Sequence, residues 1–356
     1  MKKVFAVLLM LIMLCGCSGF RTDSYIRVEP HDEGYEVAID SSAVTVSSYL
    51  GLKNAMADMV EKCVTDGVIR ADGYGGELTE DLDNVVYEIW RVDPLGAYAV
   101  DYMTYDCSKI VSYYEIHVHI TYRRTEAEIA SVVYASTLEE LKDRMRDAMA
   151  DYSPELLVRV SDYQDMDYVD LMQQVFEEHP EFSLERPKLT VSSYPENGSH
   201  RILEFSFSYE TEQQTLKDMQ MEMAESLDYI TKLYGSANDT MVSARRFYNR
   251  VIRDGILLNS QDETTPAPDS VYGALIENAA TSYGYAQTYG LLLRNKEIPC
   301  VLIRSNLRNE VRYLCLVTLE DEDYYVDVAR GVMDKQPDTF LMTQQDLDFF
   351  GYTLLE

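Results

Sequence analysis

His117 and His119 lie two residues apart in Glu115-Ile116-His117-Val118-His119. In a strand, both imidazoles and the Glu115 carboxylate share one face. Three such groups could hold zinc if a fourth ligand arrived, although a solvated polar sheet face shows the same pattern. The run Glu320-Asp321-Glu322-Asp323 offers carboxylates to calcium but lacks the loop spacing and the glycine that calcium loops use; it reads as a solvated hairpin turn. No metal and no cofactor is expected. The 6 cysteines include no C-x-x-C pair. Cys300 and Cys315 could lie on neighbouring strands, as buried thiols or as a disulfide. Histidine, the usual proton acceptor in catalysis, occurs at 31, 117, 119, 179 and 200, and never beyond Arg201.

Positioning these residues requires an alternation of helices and strands. Apolar residues at Leu52, Ala55, Met56, Met59, Val60 and Cys63 have helical spacing and predict a helix over 50–64. A short strand over 43–46 precedes it, with another at 35–39. A strand near 68–69 follows, then a helix over 80–90 capped by Thr79, then strands over 97–105 and 111–122 that turn near 106–108. On the second of these, Tyr114, Ile116, Val118, Ile120 and Tyr122 share the face opposite the histidines. The same order recurs: a helix over 138–149, a strand over 156–160, a helix over 168–178, and strands over 188–194 and 201–209. A slide of 86 residues places Asp93-Pro94 on His179-Pro180, and one of 87 places Thr121-Tyr122 on Ser208-Tyr209. The chain therefore reads as α+β, with two duplicated helix-strand-helix-hairpin modules over 35–135 and 136–211. Helices over 212–233 and 240–257, the latter capped by Asp239, lead through a polar, Pro-containing connector into a final domain. That domain, with its lead-in helices, spans 212–356.

The address is written in the first residues. Lys2 and Lys3 precede an apolar run over 4–14, too short to span a bilayer. Leu14-Cys15-Gly16-Cys17 closes it in the pattern of a bacterial lipobox. Residues 1–16 are then a signal peptide, Cys17 carries the lipid and 17–34 form a tether. That places the protein in the cell envelope, anchored outside the cytoplasm, with the membrane as one partner. With 61 Asp and Glu against 31 Lys and Arg, the net charge of −30 excludes a nucleic-acid partner. Hydrophobic residues make up 46%, which is enough for a sizeable core and excludes global disorder.

Three stretches near the C-terminus carry a family likeness: Ala279-Ala280-Thr281-Ser282-Tyr283-Gly284-Tyr285-Ala286, Glu297-Ile298-Pro299-Cys300, and Asp323-Tyr324-Tyr325-Val326-Asp327-Val328. From Val271 onward, with lead-in helices from about Met241, the chain resembles the transglutaminase-like superfamily, whose fold is papain-like. The family pattern runs small-apolar-Cys-x-Gly-Tyr-Ala, Gly-Ile-Pro, His-Ala-Trp-Asn and Trp-Tyr-x-x-Asp. In active members a cysteine at a helix N-terminus attacks, a histidine moves the proton and an aspartate orients that histidine. The resemblance puts Ser282 at the nucleophile, Arg312 at the histidine by the family's His-to-Asp interval, and Asp327 at the aspartate. A guanidinium cannot accept the proton of a serine hydroxyl.

The resemblance therefore implies a degenerate triad and a cleft that binds peptide, wall fragment or a protein partner without turnover. Tyr283, Tyr285 and Tyr313 are the expected ligand contacts. The alternatives are an acyl-transfer or protease-type enzyme with a rearranged site, and a purely structural spacer. Arg312 is further expected to form a cross-strand ion pair with Asp327, with its nitrogen within ~4 Å of the carboxylate.

Overall fold

Capping and apolar spacing set the first helix, α1 (Tyr49–Glu61): the Ser48 side chain accepts from Gly51 N, and Leu52, Ala55, Met56, Met59 and Val60 are buried. This computed structural model describes residues 43–259, 267–335 and 339–355. Cys17, the leader, the tether and the strand expected at 35–39 lie outside the described residues. All elements below belong to one unit, Val44–Glu356.

In the first module, α1 packs with α2 (Leu78–Arg91) against a sheet of order β1-β2-β4-β3. Its strands are β1 (Val44–Val46), β2 (Asp66–Asp72), β3 (Val100–Ile110) and β4 (Tyr113–Tyr122). β1 runs parallel to β2, and the other pairs are antiparallel. Alternation on β4 divides as expected: Ile116, Val118 and Ile120 join the helix-side core, while His117 and His119 are exposed. Thr79 is not the cap; the helix begins at Leu78, two residues earlier than expected, behind Glu77.

The strand expected from residue 97 starts instead at Val100, because Pro94–Ala99 forms a short helix, α3. Asp93 caps it, accepting from Gly96 N at 2.9 Å, with Pro94 in the first turn. Glycine is required at 96: a Cβ there would lie 1.8 Å from Ile89 O. The hairpin turns at Val111, with φ of 45°, and residues 106–108 are in mid-strand.

The short helix α4 (Glu126–Ala130) leads into the second module. Here β5 (Val133–Ala135), α5 (Leu138–Ala150), β6 (Glu155–Val160), α6 (Tyr168–Glu178), β7 (Lys188–Tyr194) and β8 (Arg201–Ser208) follow. Its sheet order is β5-β6-β8-β7, with the same parallel and antiparallel senses as the first. Val44↔Ile69 corresponds to Val133↔Val158, an offset of 89 residues. Ile69↔Ile116 corresponds to Val158↔Leu203, so the offset falls to 87 at β8. The duplicated topology is present, and the module boundary moves back to the linker before Val133.

The modules share packing. Leu157 and Ile202 of the second belong to the core of the first. Tyr98 of α3 meets Tyr194 edge-on at 5.5 Å, and Arg124 reaches both Glu204 oxygens at 2.8 Å.

The helix-side core of the second module continues into the C-terminal part. There α7 (Gln213–Tyr234) and α8 (Thr240–Asp254) precede β9 (Ile256–Leu257), α9 (Val271–Leu275) and β10 (Ala279–Ala280). Next come α10 (Ser282–Arg294), β11 (Cys300–Leu307), β12 (Glu310–Leu319), β13 (Glu322–Val326) and α11 (Val328–Asp334), and last α12 (Gln344–Phe350) and β14 (Tyr352–Leu354). The antiparallel sheet β13-β12-β11-β14 packs on α10, which is buried along most of its length. The chain is an α+β protein.

Candidate functional site

Ser282 opens α10. The preceding Thr281 caps the helix, accepting from Gly284 N at 3.4 Å while its hydroxyl donates to Asp269 Oδ1 at 2.5 Å. A helix start would favour a thiolate or an alkoxide, but the Ser282 hydroxyl has another task. β13 ends at Val326, which pairs with Cys315. Tyr313, two residues beyond, has no β13 residue to receive its N–H. That N–H donates to Ser282 Oγ at 2.9 Å. The serine completes the ladder where the strand runs out.

Strand alternation then fixes what faces α10. The Tyr313 ring lies edge-on to Tyr283 at 4.8 Å, and Cys315 Sγ donates to Ala286 O at 3.3 Å. Arg312 stands on the opposite face with Leu314. Its guanidinium pairs with Glu310 at 2.5 Å, and its Nε is buried without a partner. Tyr313, and not Arg312, is therefore the β12 residue turned toward Ser282 and Tyr283. Cys300 and Cys315 are both free thiols. The Cys300 thiol beside it, and then burial, push the Cys315 thiol well above its ordinary range, which leaves it inert.

Asp327 is fully buried and caps α11, accepting from Arg330 N at 2.8 Å and from the Tyr352 hydroxyl at 2.6 Å. Burial pushes its carboxyl above the usual range, against the opposing pull of Tyr352, the Arg330 amide, and the charges of Arg312 and Arg330. No ion pair joins it to Arg312, so the expected clamp is absent. The reason is one residue of turn geometry. Glu320 and Asp321, with φ of 53° and 63°, form a two-residue turn between Leu319 and Glu322. This places Asp327 beside Leu314. Tyr352, its actual partner, lies on a strand that no local signal pointed to.

A cleft of about 1890 Å³ opens beside Ser282, between α6 with the segment after it and the edge of the C-terminal sheet. Tyr283, Arg312 and Tyr313 also line it. Burial, then the Glu177 charge, hold the Tyr283 phenol well above its ordinary range. Tyr285 does not reach the cleft: it is fully buried, donating to Ile256 O at 2.9 Å and Asn278 O at 3.2 Å. Among the described residues no imidazole lines the cleft. On the first module His117 meets Glu115 and His119 meets Asp66, and no cluster of metal-ligating groups forms among the described residues.

No protein-family model and no curated protein matches the chain. Parts of it are similar to solved structures. A TGase aligns over 59% of this chain and 61% of its own length, at 10% identity and a TM-score of 0.28. A candidate cysteine protease from Cytophaga hutchinsonii aligns over 48% and 71% respectively, at 9% identity and a TM-score of 0.27. A candidate protease from Parabacteroides distasonis aligns over 73% and 39%, at 8% identity and a TM-score of 0.25. The chain thus spans less than two thirds of the first of these.

Proposed function

We propose that this chain is an envelope lipoprotein, anchored through Cys17, whose C-terminal domain keeps a transglutaminase-like arrangement without its chemistry. The cleft beside Ser282 binds peptide and releases it unchanged. One observation carries the loss of chemistry: Ser282 Oγ accepts the Tyr313 N–H, and the residue facing it from β12 is a tyrosine, not a base. The open cleft favours binding over a spacer role.

Purified protein should neither release product from a fluorogenic peptide panel nor incorporate dansylcadaverine into a glutamine donor. Fluorescein-labelled members of the same panel should bind, as read by anisotropy. Ser282→Ala should leave both results unchanged and lower stability by about 1 kcal/mol, the loss of one partly buried acceptor. Turnover in the wild type that vanishes in Ser282→Ala would establish the enzyme reading instead. For the anchor, metabolic labelling with a palmitate analogue should mark the wild type and not Cys17→Ala; equal labelling of both would refute it.

A further inference from the structure

β11 is paired along its whole length with β12, but β14 covers only Ser305–Leu307 on the other side. Leu355 N donates to Arg304 O at 2.8 Å, so Arg304 turns its main-chain groups toward the β14 edge. By the two-residue period, Cys300 and Leu302 turn theirs the same way. Among the described residues no strand takes up those groups. This bare stretch lies in the cleft: Cys300, Val301, Leu302 and Arg304 all line it, and Val301 is 60% exposed.

Edges left open are templates for another strand. Here the ends are guarded by Pro299 and by β14, which leaves room for a short segment alone. The charges in reach identify it. The Arg304 side chain is exposed and forms no ion pair or hydrogen bond among the described residues, while the Arg186 guanidinium lies 5.5 Å from the centre of the Phe176 ring. The cleft's acids are partly engaged: Glu310 by Arg312, Asp269 by Thr281, and Glu185 by Glu210 N and Thr211 N.

We propose that the cleft captures an extended acidic peptide as an added antiparallel strand on Cys300–Arg304, with a carboxylate toward Arg304 and Arg186. The proposal rests on the peptide-binding reading above and adds the mode and charge of the ligand. A residue opposite Leu302 shares its face and so points at Arg304.

The probe is a fluorescein-labelled octapeptide alternating glutamate and valine, titrated by anisotropy into the full chain. Methylating the glutamate amide nitrogens should weaken binding at least about tenfold, and methylating the valine amides by less than about twofold, because only one set faces the edge. Arg304→Gln, which breaks no internal bond, should weaken the glutamate peptide but not its glutamine counterpart. Hydrogen exchange at the Leu302 amide should slow on binding. If both methylated peptides bind like the parent, strand addition is overturned and cleft binding stands. If other panel peptides bind but the acidic one does not, the acidic assignment is overturned. Binding by no peptide overturns the reading beneath it as well.

Discussion

Asp327→Ala should destabilise the protein by about 3 kcal/mol, the sum of a lost helix cap and a buried tyrosine hydroxyl left without an acceptor. Both partners are short and internal, Arg330 N at 2.8 Å and the Tyr352 hydroxyl at 2.6 Å, and water has no access to replace them. Asp327→Asn keeps one acceptor, for Arg330 N, and turns its amide NH2 as a donor toward the Tyr352 oxygen, so it should lose less. The pH dependence has a definite sign. Burial raises the folded pKa of Asp327 above the ordinary 3.8, so the unfolded chain ionises first as pH rises. That ionisation cost grows from about the unfolded pKa up to the folded value and is then constant. Asp327→Asn should therefore have a flatter urea midpoint across that interval than the wild type. Equal losses for alanine and asparagine would mean that the cap bond to Arg330 N carries nothing.

Arg124→Ala should cost about 2–3 kcal/mol, because it strips a partly buried carboxylate of its cation. The guanidinium lies 4.5 Å from the Tyr98 ring and contacts both Glu204 oxygens; the two side chains are 21% and 12% exposed. Glu155 stands beside Glu204, and burial, then its hydrogen bond to that neighbour, raises the Glu155 pKa. A carboxyl raised on folding favours the folded state more as pH falls toward its unfolded value. Without Arg124 the two carboxyls have more to gain from sharing a proton. The deficit measured by urea unfolding should shrink between pH 7 and pH 5. A deficit independent of pH would show that Tyr98 stacking, and not charge, is what Arg124 supplies.

Both variants probe places where residue patterns alone lead to different expectations. Tyr168–Glu178 was legible to the residue, since Asp167 caps it and Leu171, Met172, Val175 and Phe176 have helical spacing. The duplicated order was legible because the hairpin of each module repeats the same alternation. Pro94–Ala99 was misread because an unbroken apolar run cannot separate helix from strand; the Asp-Pro start before it was the missed signal. At the site, Ser282 opens α10 and Asp327 follows β13 directly. The relation between Arg312 and Asp327 was not recoverable. One residue of uncertainty in the turn moves the register by two, which puts Leu314 and not Arg312 beside Asp327, and the long-range partners of Asp327 and Ser282, Tyr352 and the Tyr313 N–H, obey no local rule.

The element α3 exists in only one of the two modules, and it is the one that covers the other's sheet. Tyr98 sits on Tyr194, and Leu157 and Ile202 lie within the first module's core. The repeat is thus countable but not portable: recombination at the linker before Val133 would yield a second module with an apolar back face open to water. A shortened chain would therefore have to shed both modules, or repaint that face with polar residues.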